Sequence, residues 1–216
     1  MDKKINFDNF QAILFDFDGV LAESMNVKTD AFAKIFSPFG DDIVAKVVKH
    51  HIKNGGISRF KKIKFYYKNY LNKPLSEKQL EKIAQEFSDI VIQKVIRSEW
   101  VAGAKEFLEK YQDKLDLYVI SGTPQKEMEL IIKKRNMEKY FKGIYGTPDT
   151  KPTIAKKLIK ENKYSNKNVL YIGDCLSDYD DAIKANISFL GRVPKNKNSI
   201  FPKNVEIISD FFDVLK

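Results

Sequence analysis

The chain has 216 residues, 43% of them hydrophobic and 31% charged, and a single cysteine. A chain of this size buries about 70% of its unfolded surface, so we expect a packed core. Its 16 phenylalanines and 10 tyrosines exclude intrinsic disorder, and one cysteine excludes an intramolecular disulfide. The amino terminus MDKKINFDNF lacks an apolar run of signal-peptide length, and no apolar stretch is long enough to cross a membrane. We therefore expect a soluble, cytoplasmic protein with no membrane partner.

The chain is basic, with 38 lysines and arginines against 29 acids and a net charge of +9. This balance is typical of proteins that bind nucleic acid, anionic membrane surfaces or small phosphorylated substrates. It is equally typical of a solvated, lysine-rich surface. The lysines are spread along predicted helices rather than collected in one tract, so the charge by itself does not decide between these classes.

The first part of the chain combines one strand with a group of helices. The apolar run 11–16 predicts a buried parallel strand that ends in an acid. Hydrophobic periodicity then predicts four helices between residues 26 and 97, with a break at Gly55–Gly56. The last of these helices follows a capping box at Ser76–Gln79. Four consecutive helices with short turns predict a small bundle.

After residue 100 the pattern alternates between helix and strand. The predicted strands are LDLYVIS, the weaker FKGIYG, NVLYIGD and ISFLG, with VEII as a further edge strand. Helices of about a dozen residues between strands favour a doubly wound parallel sheet. We therefore predict an α/β fold in two domains. A core domain comprises residues 1–22 and 98–216, and a helical insert comprises residues 23–97.

Polar side chains follow four of the predicted strands, at the edge where open α/β sheets bind ligands. Asp16 and Asp18 follow the first strand, and Ser121 and Gly122 follow LDLYVI. The remaining candidates are Lys151, Asp174 and Asp178. Several ionised carboxylates in one confined site require a cation, and oxygen ligands of this kind suit Mg²⁺. A carboxylate nucleophile beside a metal and a lysine is typical of aspartyl-phosphate chemistry.

The segments DFDGVL, SGT, the Lys151–Pro152 pair and GDCLSD resemble the four ordered motifs of the haloacid dehalogenase-like (HAD) hydrolase superfamily. The resemblance covers the whole chain. The helical insert after the first motif is similar to the helical C1 cap of the subfamily that contains phosphoglycolate phosphatase and β-phosphoglucomutase. The resemblance to this superfamily implies a HAD-like Rossmannoid core and Mg²⁺ as cofactor.

The resemblance also implies roles for the residues of the first two motifs. Asp16 would be the nucleophile that attacks phosphorus, and it would also bind Mg²⁺. Asp18 would protonate the leaving group and then activate water, and its backbone carbonyl would be a further metal ligand. Ser121 and the Gly122 amide would hold the transferring phosphoryl group. A turn-stabilising role for Asp18 and a helix-capping role for Ser121 remain the structural alternatives.

The third and fourth motifs supply the remaining implied residues. Lys151, which the sequence predicts to lie in a loop, would neutralise charge on the phosphoryl group and on Asp16. Asp174 would bind the metal directly, and Asp178 would bind it directly or through water. Capping of the helix DYDDAIKAN is the alternative for Asp178. Cys175 has no histidine near it in sequence, so we interpret it as a bystander.

The insert contains the candidates for substrate specificity. The stretch Gly-Ile-Ser-Arg ending in Ser58 and Arg59 resembles the β-phosphoglucomutase-like proteins, in which the arginine grips the part of the substrate that does not react. A solvated helix turn is the alternative for Arg59. His50 and His51 fall at the end of a predicted helix, where one of them is expected to interact with the helix dipole. A ligand or substrate role for either stays open.

We predict a Mg²⁺-dependent phosphatase that hydrolyses a small phosphorylated metabolite, such as a sugar phosphate or a phosphoglycolate-like compound. Asp18 argues against dehalogenase chemistry, because in the dehalogenases that this chain resembles the first motif lacks the second acid. The alternative is a β-phosphoglucomutase-like phosphosugar mutase, although Lys28 stands where those proteins carry a histidine. A phosphonate-cleaving relative and a basic, non-catalytic binding module are more distant alternatives. We expect no nucleic-acid partner, because the chain lacks the aromatic and basic stripe of a single-strand binder.

Overall fold

The structure, a computed structural model, describes residues 5–54 and 57–215. Within these residues the core is one six-stranded parallel sheet with the strand order β3-β2-β1-β4-β5-β6. The strands are β1 Ala12–Phe15, β2 Asp116–Pro124, β3 Gly143–Thr147, β4 Val169–Gly173, β5 Ser188–Arg192 and β6 Ile207–Ile208. The predicted α/β class and the predicted edge strand are confirmed.

Among the described residues, five α-helices lie between β1 and β2, the first four of them in the insert, and the others alternate with the later strands or follow the sheet. They are α1 Met25–Phe36, α2 Asp41–Lys53, α3 Arg59–Tyr66, α4 Glu77–Ile96, α5 Ala104–Tyr111, α6 Gln125–Lys134, α7 Lys151–Asn162, α8 Leu176–Ala185 and α9 Phe212–Leu215. The helix α3 continues as one π-helical turn, Tyr67–Leu71. The predicted capping box of Ser76 and Gln79 is present at the start of α4. The predicted break at Gly55–Gly56 lies outside the described residues.

The register of the central strands brings the motif segments level with one another. Phe15, the last residue of β1, pairs with Val119 of β2 and Ile172 of β4. The residues that follow these three positions therefore lie beside one another at the same edge of the sheet. All four residues of β1 are buried, as expected for a central parallel strand covered by helices on both faces.

Apolar clusters cover both faces of the sheet. On one face Phe15 packs edge-on against Phe107 of α5, and the same cluster continues into the helical insert through Phe32 and Phe87. A smaller cluster on the other face includes Leu14 of β1. Because one apolar cluster runs through both parts of the chain, the insert is packed onto the core as well as linked to it.

The two segments that connect the insert to the core run side by side. Ala22 and Trp100 form an antiparallel bridge, and the Val101 amide donates to the Leu21 carbonyl over 3.1 Å. The Arg135 guanidinium donates to the carbonyl of Ser98 and to two carbonyls at the end of α4. The predicted domain boundaries fall beside this bridge and remain a prediction. Among the described residues, each helix is too short or too polar to span a bilayer.

Candidate active site

The turn after β1 places the two aspartates of the first motif. Asp16 and Asp18 are both buried, and the Asp16 amide still donates to Ile172 of β4 over 2.9 Å. Gly19 has φ +78°, a conformation that glycine adopts without strain. The Gly19 carbonyl accepts a hydrogen bond from the guanidinium of Arg192 at the end of β5, 3.2 Å away. The neighbouring strands therefore fix the loop that carries both carboxylates.

Lys151 joins two of the predicted carboxylates. Its Nζ lies 3.1 Å from Asp16 Oδ1 and 2.6 Å from Asp178 Oδ1. The prediction of a loop at this position is wrong, because Lys151 is the first residue of α7. Thr150 caps this helix through the amide of Thr153. Burial opposes the charge of Lys151, but the two carboxylates outweigh it and hold the pKa well above its ordinary value.

Asp178 is buried, and both of its carboxylate oxygens have partners. Besides Lys151, Oδ1 accepts from the Tyr171 hydroxyl at 2.9 Å, and Oδ2 lies 3.0 Å from Cys175 Sγ and 3.3 Å from the Asp174 amide. Burial would raise the pKa of Asp178, but Lys151 and these hydrogen bonds lower it. Asp178 does not cap α8, whose N-cap residue is Cys175. In this arrangement Asp178 orients Lys151.

Asp174 differs from Asp178 because one of its oxygens has no protein partner. Its Oδ1 is buried without a hydrogen bond among the described residues. A methyl group on Gly19 would lie 2.0 Å from Asp174 Oδ2, so glycine leaves the room that this carboxylate occupies. Burial, followed by repulsion from Asp16 and Asp178, raises the pKa of Asp174 well above its ordinary value. A buried carboxylate oxygen without a partner fits a cation ligand.

Asp16 has a similar electrostatic environment. Burial raises the pKa of Asp16 to about 7, with Lys151 acting in the opposite direction and Asp178 adding to the increase. A divalent cation would favour the ionised carboxylates that this cluster otherwise resists. One ligand atom each of Asp174, Cys175 and Asp178 lies within 4.8 Å of the others. Burial raises the pKa of the Cys175 thiol and so disfavours the thiolate that would bind a metal. The carboxylate oxygens of Asp174 and Asp178 are therefore the better ligands, and oxygen is the ligand atom that Mg²⁺ prefers.

The second motif lies beside the first. Ser121 is buried, and its Oγ accepts a hydrogen bond from the Thr123 amide at 3.1 Å. Gly122 and Thr123 line a cavity between core and insert together with Asp16 and Asp18. The structure thus brings the predicted phosphate-binding segment and the predicted catalytic acids to one cavity of about 30 Å³.

Two residues of the insert, which the sequence did not single out as site residues, contact Asp18. Lys28 of α1 forms a salt bridge with Asp18 Oδ2, and its Nζ also lies 2.9 Å from Thr123 Oγ1. The hydroxyl of Ser24, the N-cap residue of α1, donates to Asp18 Oδ1 over 2.5 Å. In the sequence, Lys28 stands out only because it replaces a histidine of the mutase-like proteins. Asp18 therefore contacts the insert through both of its oxygens.

Arg59 is buried and bridges the insert to the core. Its guanidinium forms a salt bridge with Glu127 of α6, contacts the Ser88 hydroxyl and stacks 4.8 Å from the ring centroid of Phe87. The alternative of a solvated helix turn is therefore wrong, because only 7% of the residue is exposed. Ser58 precedes α3 and makes no side-chain capping bond. Arg59 lines the same cavity as Asp16, so the predicted specificity role stays a prediction.

The two histidines lie in the last turn of α2, as expected, but their environments differ. His51 is buried, and its Nδ1 lies 2.8 Å from the Nζ of Lys62. Burial and the charge of Lys62 lower the pKa of His51 to about 2. A neutral imidazole carries no charge to interact with the helix dipole, so a dipole role for one of the two histidines stays a prediction. Lys62 is buried in the wall of the same cavity and was missed, because nothing in its helical context distinguishes it from its lysine neighbours.

The chain is similar to known proteins of one family. Residues 13–192 match the family model of the haloacid dehalogenase-like hydrolases. No curated protein sequence matches the chain. Three similar solved structures cover nearly the whole chain at low identity, which shows a shared fold. A β-phosphoglucomutase from Clostridium difficile has a TM-score of 0.77 at 19% identity, over 96% of this chain and 93% of that chain.

A predicted phosphoglycolate phosphatase from Haemophilus somnus has a TM-score of 0.72 at 20% identity, over 96% of this chain and 97% of that chain. The putative HAD-hydrolase YfnB from Bacillus subtilis, bound to magnesium, has a TM-score of 0.69 at 16% identity, over 95% of this chain and 96% of that chain. The family match spans most of the sequence and all of the residues that surround the cavity. The chain therefore belongs to the haloacid dehalogenase-like hydrolases and is an enzyme of that family.

Proposed function

We propose that the protein is a Mg²⁺-dependent phosphatase that hydrolyses a small phosphorylated metabolite through a phosphoaspartate on Asp16. The observation that carries this proposal is the position of Lys151, whose ammonium lies between Asp16 and Asp178. A lysine in this position lowers the negative charge that an incoming phosphoryl group meets. It leaves the other oxygen of Asp16 available for attack.

The residues around Asp174 fit a magnesium ion. Asp16, Asp174 and the backbone carbonyl of Asp18 would hold the ion, and Asp178 would act through water because both of its oxygens have protein partners. The bound ion supplies positive charge that offsets the charge on the carboxylates and on the substrate phosphate. The YfnB protein, whose fold is similar, is described as bound to magnesium, which supports the same cofactor here.

In the first step, an oxygen of Asp16 attacks phosphorus as the bond to the leaving oxygen breaks. The leaving oxygen takes a proton from Asp18. Ser121 and the Gly122 amide bind the phosphoryl oxygens during transfer, and Lys151 neutralises part of the charge that accumulates there. The alcohol leaves, and the phosphoryl group is held on Asp16 as an acyl phosphate.

In the second step, Asp18 acts as a base towards water. It takes a proton as the water oxygen attacks phosphorus, and the acyl phosphate bond breaks to regenerate the Asp16 carboxylate and release inorganic phosphate. Lys28 contacts Asp18 Oδ2 and is therefore placed to stabilise the negative charge that Asp18 carries after it has given its proton to the leaving group.

The experiment is an activity screen over a panel of phosphomonoesters, including a generic aryl phosphate, with Mg²⁺ and with a chelator. Asp16→Asn keeps the shape of the side chain and removes the nucleophilic charge, so activity should fall by several orders of magnitude. Asp113→Asn is the matched control, since Asp113 is exposed in the turn after α5. We expect full activity from the control.

Two results would contradict the proposal. Activity that survives the chelator, or that Asp16→Asn retains, would exclude the mechanism. Conversion of a hexose 1-phosphate to the 6-phosphate without release of inorganic phosphate would instead support the mutase. A salt-dependent gel shift with nucleic acid and no phosphatase activity would support a binding module.

A further inference from the structure

The cavity between insert and core has an uneven distribution of charge. On the core side it is lined by Asp16, Asp18 and Gly122, where the reacting phosphate would bind. On the insert side it is lined by Lys28, His51, Arg59 and Lys62. A substrate that reaches Asp16 would therefore present its non-reacting end to a wall built from cationic side chains and an imidazole.

Two of these side chains face carboxylates of the core. Lys28 forms a salt bridge with Asp18, and Arg59 forms one with Glu127. Each of these cations contacts an acid while the insert rests on the core. Their main effect in this arrangement is to join the two parts of the chain.

Lys62 and His51 form a different kind of pair. Lys62 is 1% exposed, and its Nζ lies 2.8 Å from His51 Nδ1 and 5.9 Å from the ring centroid of Phe32. A charged ammonium has only donors, so Nδ1 accepts and the neutral imidazole carries its proton on Nε2. This Nε2 is buried and has no hydrogen-bond partner among the described residues. A buried donor without a partner is unfavourable, and an incoming acceptor relieves it.

We propose that Lys62 and His51 bind a second anionic oxygen group of the substrate, a carboxylate or a second phosphate, and so select doubly anionic phosphomonoesters. The proposal rests on the phosphatase function proposed above. The ammonium and the Nε2 donor would contact the remote anion while Asp16 and Lys151 engage the reacting phosphate. Because both residues stand on the insert, the remote anion would also favour the position in which the insert covers the core.

The charge state of Lys62 is compatible with this role. Burial and the nearby charge of Lys28 lower the pKa of Lys62 to about 7, so the charged and neutral forms are close in free energy. An anion bound beside Lys62 would favour the charged form. The resulting contact would be a buried, charge-assisted hydrogen bond, which is stronger than one between neutral groups.

The test uses three substrates that share one three-carbon chain. Propyl phosphate has no second anion, 3-phosphonooxypropanoate adds a carboxylate, and propane-1,3-diyl bisphosphate adds a phosphate. We expect the full-length enzyme with Mg²⁺ to prefer one of the two doubly anionic compounds, and the identity of that compound distinguishes carboxylate from phosphate. Lys62→Met should reduce this preference, measured as a ratio of kcat/KM values, by about 10- to 100-fold, mainly through KM.

Two further variants separate recognition from structure. Lys61→Met removes the neighbouring lysine, which is exposed on α3, and should keep the preference of the wild type. His51→Phe keeps a ring and removes the Nε2 donor, so it should reduce the preference in the same direction as Lys62→Met. This variant also serves as the test if Lys62→Met does not fold.

The outcomes distinguish this inference from the function on which it rests. If the wild type hydrolyses none of the three compounds and no aryl phosphate, the proposed function fails and the inference fails with it. If it hydrolyses propyl phosphate in an Asp16-dependent manner but gains nothing from a second anion, only the inference is overturned. An equal loss on all three substrates in both Lys62→Met and His51→Phe would assign the pair to the packing of the insert and overturn it as well.

Discussion

Replacement of the buried Lys62 by methionine should stabilise the protein at neutral pH and change how its stability depends on pH. In the folded state burial lowers the pKa of Lys62 from 10.5 to about 7. Lys28 and Lys151 act in the same direction, whereas Cys175 and Asp18 oppose it. Methionine has a similar length and no charge to bury, so the variant removes an unfavourable contribution while it keeps most of the packing.

The magnitude follows from proton linkage. Each unit between the folded and unfolded pKa values is worth about 1.4 kcal/mol, so at pH 7 the buried ammonium of Lys62 costs about 4 kcal/mol of folding free energy. Between pH 7 and 10.5 the unfolded state holds the proton that the folded state has lost. Because the unfolded state then binds more protons, the contribution of this group to stability rises with pH.

The pH dependence of the difference in stability between the wild type and Lys62→Met gives a test that is insensitive to packing changes, because a change in packing shifts the stability equally at every pH. Between pH 7 and pH 9 the stability of the wild type should rise by about 2 kcal/mol more than that of Lys62→Met, which corresponds to about 4–8 °C in Tm for a chain of this size. Urea unfolding in the presence of a chelator, followed by circular dichroism and by the fluorescence of Trp100, measures the difference. Lys61→Met is the control and should run parallel to the wild type.

Parallel curves for the wild type and Lys62→Met over this pH range would refute the reasoning. They would mean that Lys62 keeps its ordinary pKa and is solvated in the folded protein. The wall of the cavity would then lack the buried ammonium from which the recognition of a second anion is inferred.

Other predictions concern the turn after β1 and the contact between insert and core. Asp18→Ala should slow hydrolysis of alkyl phosphates by about 10²–10⁴-fold and of aryl phosphates far less, and equal losses would indicate a structural role. Gly19→Ala should abolish Mg²⁺-dependent activity because the added methyl group would overlap a carboxylate oxygen, whereas Gly40→Ala, also at positive φ but in open space, should only lower the Tm. Arg59→Ala and Glu127→Ala should show non-additive effects on unfolding free energy, and additive effects would mean that the salt bridge does not couple insert and core.

Local patterns in the sequence determined the elements and their order. The apolar run at 11–16, the capping box of Ser76 and the alternation after residue 100 each depend on neighbours along the chain. The parallel sheet then places the ends of its central strands at one edge, because equivalent residues lie level with one another. For this reason the sequence by itself predicts that Asp16, Asp18 and Asp174 lie close together.

The start of α7 also has a local signal in the sequence. Thr150 followed by Lys151 and Pro152 is typical of a helix start, with a capping threonine and a proline in the first turn. The helix that begins there fixes the direction of the lysine side chain towards Asp16. The sequence singles out Lys151 as a candidate site residue but predicts its local structure wrongly. The turn residues before Lys151 are as typical of a loop as Thr150 and Pro152 are of a helix start.

Only the tertiary structure decided which side chains of the insert meet the core. The pairs formed by Lys28 with Asp18 and by Arg59 with Glu127 depend on how the helices are rotated and how closely they pack. Hydrophobic periodicity specifies which face of a helix is buried, but it does not specify the partner of a charged residue near that face. Lys62 looks like any other lysine of α3 in the sequence. Its distinct chemistry arises from the burial and the imidazole neighbour that the folded insert provides.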